Sequence, residues 1–287
     1  MKNSVNPIKT CCYWVLSFFM LASFNVQAKE QAKIALIIDD MGIQKDLSLS
    51  ALQLPGAVTY SFLPFTAHTQ ALANVAHQKG KELMLHVPMQ AIEPKEREIH
   101  ELSSNMSSRA FERLFISQLQ NIPYIAGINN HKGSLLTQNY SAMTHIMQLI
   151  KVQYGTTLFF VDSKTATASV AQKAATDFGL AALGRDIFLD HDDPSQIEIR
   201  RQFRKLIALA LRNGSALGIA HPRINTLAVL QDELHKIAAY NVQLVPVSEL
   251  AFTARKIMPT IKHTKASPLI KLKAEPAQPK LGEYDIF

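Results

Sequence analysis

The feature that most limits the folds open to this chain is an alternation. Short runs rich in β-branched and aromatic residues recur: KIALII (33–38), AVTYSFL (57–63), ELMLHV (82–87), IAGI (125–128), TLFFV (157–161), DIFL (186–189), SALGIA (215–220) and VQLVPV (242–247). Between most of them the spacing turns helical. Met143, Ile146, Met147 and Ile150 make one stripe, with Gly155 as its stop. Asp193–Pro194 is expected to open a second helix, striped by Phe203, Leu206, Ile207 and Ala210 and closed by Gly214. Asn225 is expected to cap a third, with Leu227, Leu230, Leu234 and Ile237 on one face. Strands separated by helices need crossover connections, so the sheet is predicted to be mostly parallel. Seven or eight such units predict an α/β chain curled into a (β/α)7–8 barrel, closed or nearly so.

Polar residues fall where these runs end. IALIIDDMG (34–42) finishes in adjacent carboxylates, Asp39 and Asp40. His86 ends the third run, Asn129, Asn130 and His131 follow the fourth, Asp162 ends the fifth, Asp190 the sixth, and His221 the seventh. Any one of these alone reads as a cap or a turn residue. In a β/α barrel, however, all strand C-termini open onto one face, and that face holds the active site. Two imidazoles and a carboxylate from different strands are the ingredients of a divalent-metal site with open positions. Two neighbouring acids repel unless a cation or a proton intervenes. One can bind the ion while the other stays free as a base, and His221 can donate a proton to a leaving group.

Taken in order, IDDMG, LHVPM, NNHKGS, VDSKT and IAHP resemble the divergent polysaccharide deacetylases, a branch of the NodB-like carbohydrate esterases, over about residues 33–250. The resemblance implies a NodB-like barrel with Asp39 as general base, Asp40 and His86 as metal ligands, and His221 as general acid. The superfamily's second ligand, in His-x-x-x-His, is replaced here by Gln90, and His131 is expected to supply the missing imidazole. Asp162 is grouped with the catalytic residues; Asn130, Arg185 and Asp190 are expected to bind substrate. His191 adjoins a helix cap and is read as structural. The implied cofactor is a divalent metal, zinc first, and the implied substrate an N-acetylated or O-acetylated envelope glycan such as a peptidoglycan fragment. The competing reading is an envelope protein that keeps the fold and binds glycan or a partner without turnover.

Charge then narrows the partners. The chain of 287 residues carries a formal +7, but Lys2 and Lys9 belong to an N-terminal leader. From Ala254 onward seven Lys/Arg stand against three Asp/Glu, so the part between carries only about +1. Basicity confined to the ends gives no nucleic-acid face. Residues 1–28 read as a secretory signal: two lysines, an apolar stretch from Cys11 to Phe24, then Val26-Gln27-Ala28. The expected organisation is this leader, a domain over 29–253, and a Pro/Lys-rich tail over 254–287. Both cysteines lie in the leader, so the domain has no disulfide, thiolate ligand or cysteine-based redox partner. Export to the periplasm or medium is the expected outcome. Mass spectrometry of the exported protein should show loss of Met1–Ala28; intact protein found only with the membrane would mean that the leader is an anchor.

Overall fold

Residues 31–92, 100–191 and 193–257 are described by the computed structural model. The expected leader and nearly all of the expected tail lie outside these residues. The strands are β1 (Ala32–Met41), β2 (Thr59–Phe62), β3 (Glu82–Met89), β4 (Ile125–Lys132), β5 (Phe159–Asp162), β6 (Ala181–Gly184), β7 (Ile187–Phe188), β8 (Ser215–Ala220) and β9 (Val242–Leu244). The helices are α1 (Lys45–Ala51), α2 (Thr69–Gln78), α3 (Ser108–Asn121), α4 (Tyr140–Tyr154), α5 (Ala171–Asp177), α6 (Gln196–Asn213), α7 (Ile224–His235) and α8 (Val247–Ile257).

Every strand pairing is parallel, in the order β6-β5-β4-β3-β2-β1-β8-β7, with β9 added beside the start of β1. β6 and β7 are the two ends of this path, and the residues between them bridge the seam. The Arg185 N–H donates to the Asp162 carbonyl at 2.9 Å on one side, and the Asp186 N–H to the Leu217 carbonyl at 2.9 Å on the other. The result is a parallel sheet curled into a deformed barrel, with the two edges joined through residues 185 and 186.

Side chains alternate across this sheet and build two cores. Ile34, Leu36, Ile38, Tyr60, Leu85, Ile128 and Phe160 point outward and pack under the surrounding helices. Ala35, Ile37, Met84, Phe159, Val161, Leu217 and Ile219 point inward. Cover on both faces explains why β1 reads as one apolar run instead of an alternation. The inward set is closed from the strand N-terminal end by α8, through Val247, Leu250, Ala251 and Phe252. The first N–H groups of α8 are satisfied from the sheet: Val247 donates to Thr59 Oγ1 at 3.2 Å and Ser248 to Glu82 Oε1 at 3.2 Å. With that end plugged, only the C-terminal end remains open for chemistry.

Several local expectations shift. α6 starts with Ser195 as its cap, which accepts from Glu198 N at 3.3 Å; Asp193 supports that cap by accepting from Ser195 N at 2.9 Å. Asn225 sits within the first turn of α7 and donates to the Pro194 carbonyl at 3.1 Å, so it is not the cap. The run 242–247 divides, because Val247 already begins α8, and α8 continues past residue 253 to Ile257. β6, Ala-Ala-Leu-Gly, has none of the β-branched or aromatic residues that signal a strand. No helix among the described residues is long and apolar enough to cross a membrane.

Gly127 marks the tightest inward packing. A Cβ there would lie 2.3 Å from Phe159 Cε2, and that ring already meets Phe252 edge-on. Gly127→Ala should therefore lower the unfolding free energy by about 1–3 kcal/mol in a denaturant titration. An unchanged midpoint would show that the interior has slack.

Candidate active site and metal centre

Following the inward parity to the open end of the sheet reaches the site. After Ala35 and Ile37 comes Asp39; after Thr59 comes Ser61; after Met84 comes His86. Gly127 is followed by Asn129 and His131, and Leu217 and Ile219 by His221. Five adjacent elements thus turn polar on one face at one level.

Asn129 joins them. Its amide Nδ2 donates to Asp39 Oδ1 at 2.8 Å and to Ser163 Oγ at 3.2 Å. Its Oδ1 accepts from Ser61 Oγ at 2.6 Å and from His86 Nδ1 at 2.8 Å. A carboxylate can only accept, so Asp39 decides which way the amide points. The amide in turn requires a proton on His86 Nδ1. In the neutral ring Nε2 is then a lone pair, and it faces Asp40 Oδ1 at 3.3 Å, Asp39 Oδ2 at 3.6 Å and His131 Nδ1 at 3.2 Å.

Asp40 reaches this group against its parity. An even-numbered β1 residue should face outward, like Ile38. The register of β1 against β2 slips between Ile38 and Met41, and Asp40 takes a left-handed backbone with φ 56°. Asp is among the few residues that adopt this conformation cheaply, at roughly 1 kcal/mol. The bulge turns the carboxylate inward, 3.0 Å from His131 Nδ1.

Asp40 Oδ1, His86 Nε2 and His131 Nδ1 therefore lie 3.0–3.3 Å from one another. Donors on a tetrahedral ion with bonds near 2.0–2.1 Å would be about 3.3 Å apart. Asp40 Oδ1 is buried and receives no well-directed hydrogen bond. One carboxylate with two imidazoles is a donor set that suits zinc, cobalt or nickel, and it leaves positions open. These residues fit a divalent ion.

The paired acids are split electrostatically. Burial dominates at Asp39 and raises its pKa, although His86, His221 and Asn129 pull the other way. Burial also acts to raise Asp40, but the His131 and His86 imidazoles beside it outweigh that and hold Asp40 well below the usual carboxylate range. Across the mouth, His221 Nδ1 bonds Asp190 Oδ1 at 2.8 Å, while Asp190 Oδ2 accepts from His221 N at 2.9 Å and Thr226 Oγ1 at 2.7 Å. This fixes the ring with Nε2 turned toward Asp40 Oδ2, 3.8 Å away. Burial works against charging His221, yet Asp190, Asp40 and Asp39 together raise its pKa. Phe188 stacks on the same imidazole with ring centroids 5.4 Å apart.

Four expectations are corrected. Asp162 has outward parity, like Phe160, and its oxygens accept from Lys164 N, Ser169 Oγ and Gln172 N; it holds the loop before α5 and does not face the acid pair. Asn130 is outward as well: it donates to the Lys132 carbonyl and accepts from Ser163 N, bracing the rim instead of meeting substrate. Asp190 has no exposed oxygen to offer a ligand, because both are spent on His221 and Thr226. Arg185 donates to the carbonyls of Ser163 and Lys164 and lies over the Phe188 ring at 4.3 Å, so it buttresses the seam. Gln90 has turned away: its Oε1 accepts from Ser104 N and Oγ, and its place beside His86 is taken by His131. Asn129 and Ser61 had been given no role, though strand parity alone would have pointed both inward.

A family model described as divergent polysaccharide deacetylase matches residues 36–251. The chain is 37% identical over 218 residues to YibQ, an uncharacterized protein of Escherichia coli (strain K12), covering 76% of this chain and 67% of that one. It is 32% identical over 241 residues to an uncharacterized protein of Haemophilus influenzae, covering 84% of each. The crystal structure of the uncharacterized protein ATU2773 from Agrobacterium tumefaciens C58 superposes with a TM-score of 0.73 at 21% identity, over 78% of this chain and 90% of that one, and so shares the fold.

Replacing Asn129 by Leu keeps the branched shape but strands Asp39, His86 and Ser61 without their buried partner. The variant should lose at least about 2 kcal/mol of unfolding free energy. A denaturant midpoint within error of wild type would show that the amide does not organise the site.

Proposed function

The chain belongs to the divergent polysaccharide deacetylase family, and from that premise we propose that it is an exported, metal-dependent hydrolase that removes acetyl groups from an N-acetylated or O-acetylated envelope glycan. The observation that carries this reading is the convergence of three ligand atoms beside a free, buried carboxylate and a carboxylate-held imidazole.

Asp40, His86 and His131 would hold the ion, zinc being the first choice for this donor set. When bound, it would polarise the acetyl carbonyl and acidify water at neutral pH. Asp39, tied to Asn129 and with its pKa raised by burial, accepts the proton of the attacking water. His221 stands on the other side of the mouth, and Asp190 keeps its Nδ1 protonated. From Nε2 it gives a proton to the departing amine or alcohol oxygen, so that acetate and a free sugar group leave. A cleft of about 740 Å³ beyond the seam, lined in part by Lys164, Ser169 and Gln172, with Arg185 held at its edge by the Ser163 and Lys164 carbonyls, offers polar room for further sugar rings. Export rests on the leader, and the periplasm or medium is the proposed location.

Acetate release from chito-oligosaccharides, peptidoglycan fragments and aryl acetates, with added zinc, cobalt or nickel, tests this reading alongside metal analysis. Asp39→Asn should abolish turnover with metal retained. His221→Ala should slow turnover by roughly 10²–10⁴, also with metal retained. Asp40→Asn should release the metal. Wild type that holds metal but frees no acetate from any of these would turn the reading to a glycan-binding envelope protein. Wild type that binds no metal would end it.

A further inference from the structure

The small recess at the reaction centre, about 120 Å³, is lined by Asp40, Ile43, Gln44, His221, Pro222 and Arg223. Arg223 is its cationic wall, and its position is fixed twice over. Its backbone N–H donates to the His221 carbonyl at 2.8 Å, and its carbonyl accepts the first helical bond of α7 from Leu227 N at 2.9 Å. Its guanidinium Nη1 donates to the carbonyl of Asp190, the residue that orients His221. Among the described residues the other guanidinium donors have no acceptor, and none of their carboxylates lies within ion-pair distance. Arg223 is exposed and lines the recess.

Two neighbouring features favour the same sign of ligand. Arg223 is the N-cap position of the 12-residue helix α7, and no side chain caps that helix. The N–H groups of Ile224, Asn225 and Thr226 therefore keep the partial positive charge of a helix start beside the recess. The nearby carboxylates do not compete for the guanidinium. Both oxygens of Asp190 are taken by His221 and Thr226, Asp39 is buried and tied to Asn129, and Asp40 is turned toward His86 and His131.

We propose that Arg223 reads an anionic group, a carboxylate or a phosphate, carried on or next to the acetylated sugar, so that the preferred substrate is an acidic glycan. A planar guanidinium pinned at one nitrogen and open along its other donors offers the fork that such oxyanions accept. The inference rests on the deacetylase reading of the site and adds the chemistry of the sugar. A purely structural Arg223, one that only props the Asp190 carbonyl, would affect acidic and neutral substrates alike, and the experiment exploits that difference.

The full-length protein would be assayed for kcat/KM on acetylated oligosaccharides of matched length that are neutral, carboxylated or phosphorylated. The same ligands would be titrated by calorimetry without added metal, so that a Kd is read even where no acetate is released. Wild type should favour an acidic series over the neutral one, with the carboxylated and phosphorylated arms identifying which oxyanion is read. Arg223→Gln should collapse that preference by roughly tenfold to a hundredfold, and Arg223→Lys should restore part of it. Preference for the neutral series in wild type would overturn the proposal. So would an equal loss on acidic and neutral ligands in Arg223→Gln, which would mark a structural arginine. Absence of turnover with the binding preference intact would overturn the hydrolase reading and leave the acidic-glycan inference standing.

Discussion

A single buried amide organises the open end of this sheet. Asn129 on β4 is bonded to Asp39 on β1, Ser61 on β2, His86 on β3 and Ser163 just beyond β5, so one side chain ties together the polar ends of neighbouring strands. The geometry is self-consistent in only one sense. Asp39 must accept, so the amide nitrogen points to it. The amide oxygen then takes the Nδ1 proton of His86, and His86 turns a bare Nε2 toward Asp40 and His131. Buried polar networks of this kind are costly when partly satisfied and rigid when complete. This one also prepares a cluster of electron pairs, and such a cluster calls for a cation.

That constraint separates two carboxylates which are adjacent in the chain. Asp39 follows the strand's normal alternation and is captured by the amide. Asp40 is brought to the same side by a left-handed backbone at a register slip and is captured by two imidazoles. Their pKa values move in opposite directions, because burial raises that of Asp39 in spite of the amide, while the two imidazoles lower that of Asp40 in spite of its burial. Local backbone strain at Asp40 is thus part of how the site is built, and the surrounding sheet holds it in place. On the far side, Asp190 and Thr226 hold His221, while Phe188 supports the ring from below. The whole assembly rests on α8, which closes the other end of the barrel and leaves the inward core buried up to the level of Met84 and Phe159.

Gln90 stands where the wider superfamily that the motifs resemble is expected to carry a second histidine, which reads as a gap in the candidate metal site when the chain is taken as a string. In three dimensions the vacancy is filled from the neighbouring strand. β3 and β4 run in register with His86 opposite Asn129 and Pro88 opposite His131. An inward residue two beyond Asn129 therefore arrives beside His86. Gln90, past the end of β3, is drawn off by Ser104 instead.

The sequence by itself determined the parallel α/β architecture, because runs with strand and helix periods alternate and each must bury its apolar residues. It determined that Asp39, His86, His131 and His221 share one rim, because each ends a strand and all strands of such a sheet end on the same side. Inward parity, applied strictly, would also have excluded Asp162 and Asn130 and found Ser61 and Asn129. Only the tertiary structure decided the rest. The inward turn of Asp40 depends on a bulge set by pairing with β2, which no local pattern announces. The reassignment of Asp190 and Arg185 depends on partners more than twenty residues away, His221 and Ser163. Periodicity reports which face a residue occupies; which partner then takes up each oxygen and nitrogen is settled by neighbours that the chain brings together only on folding.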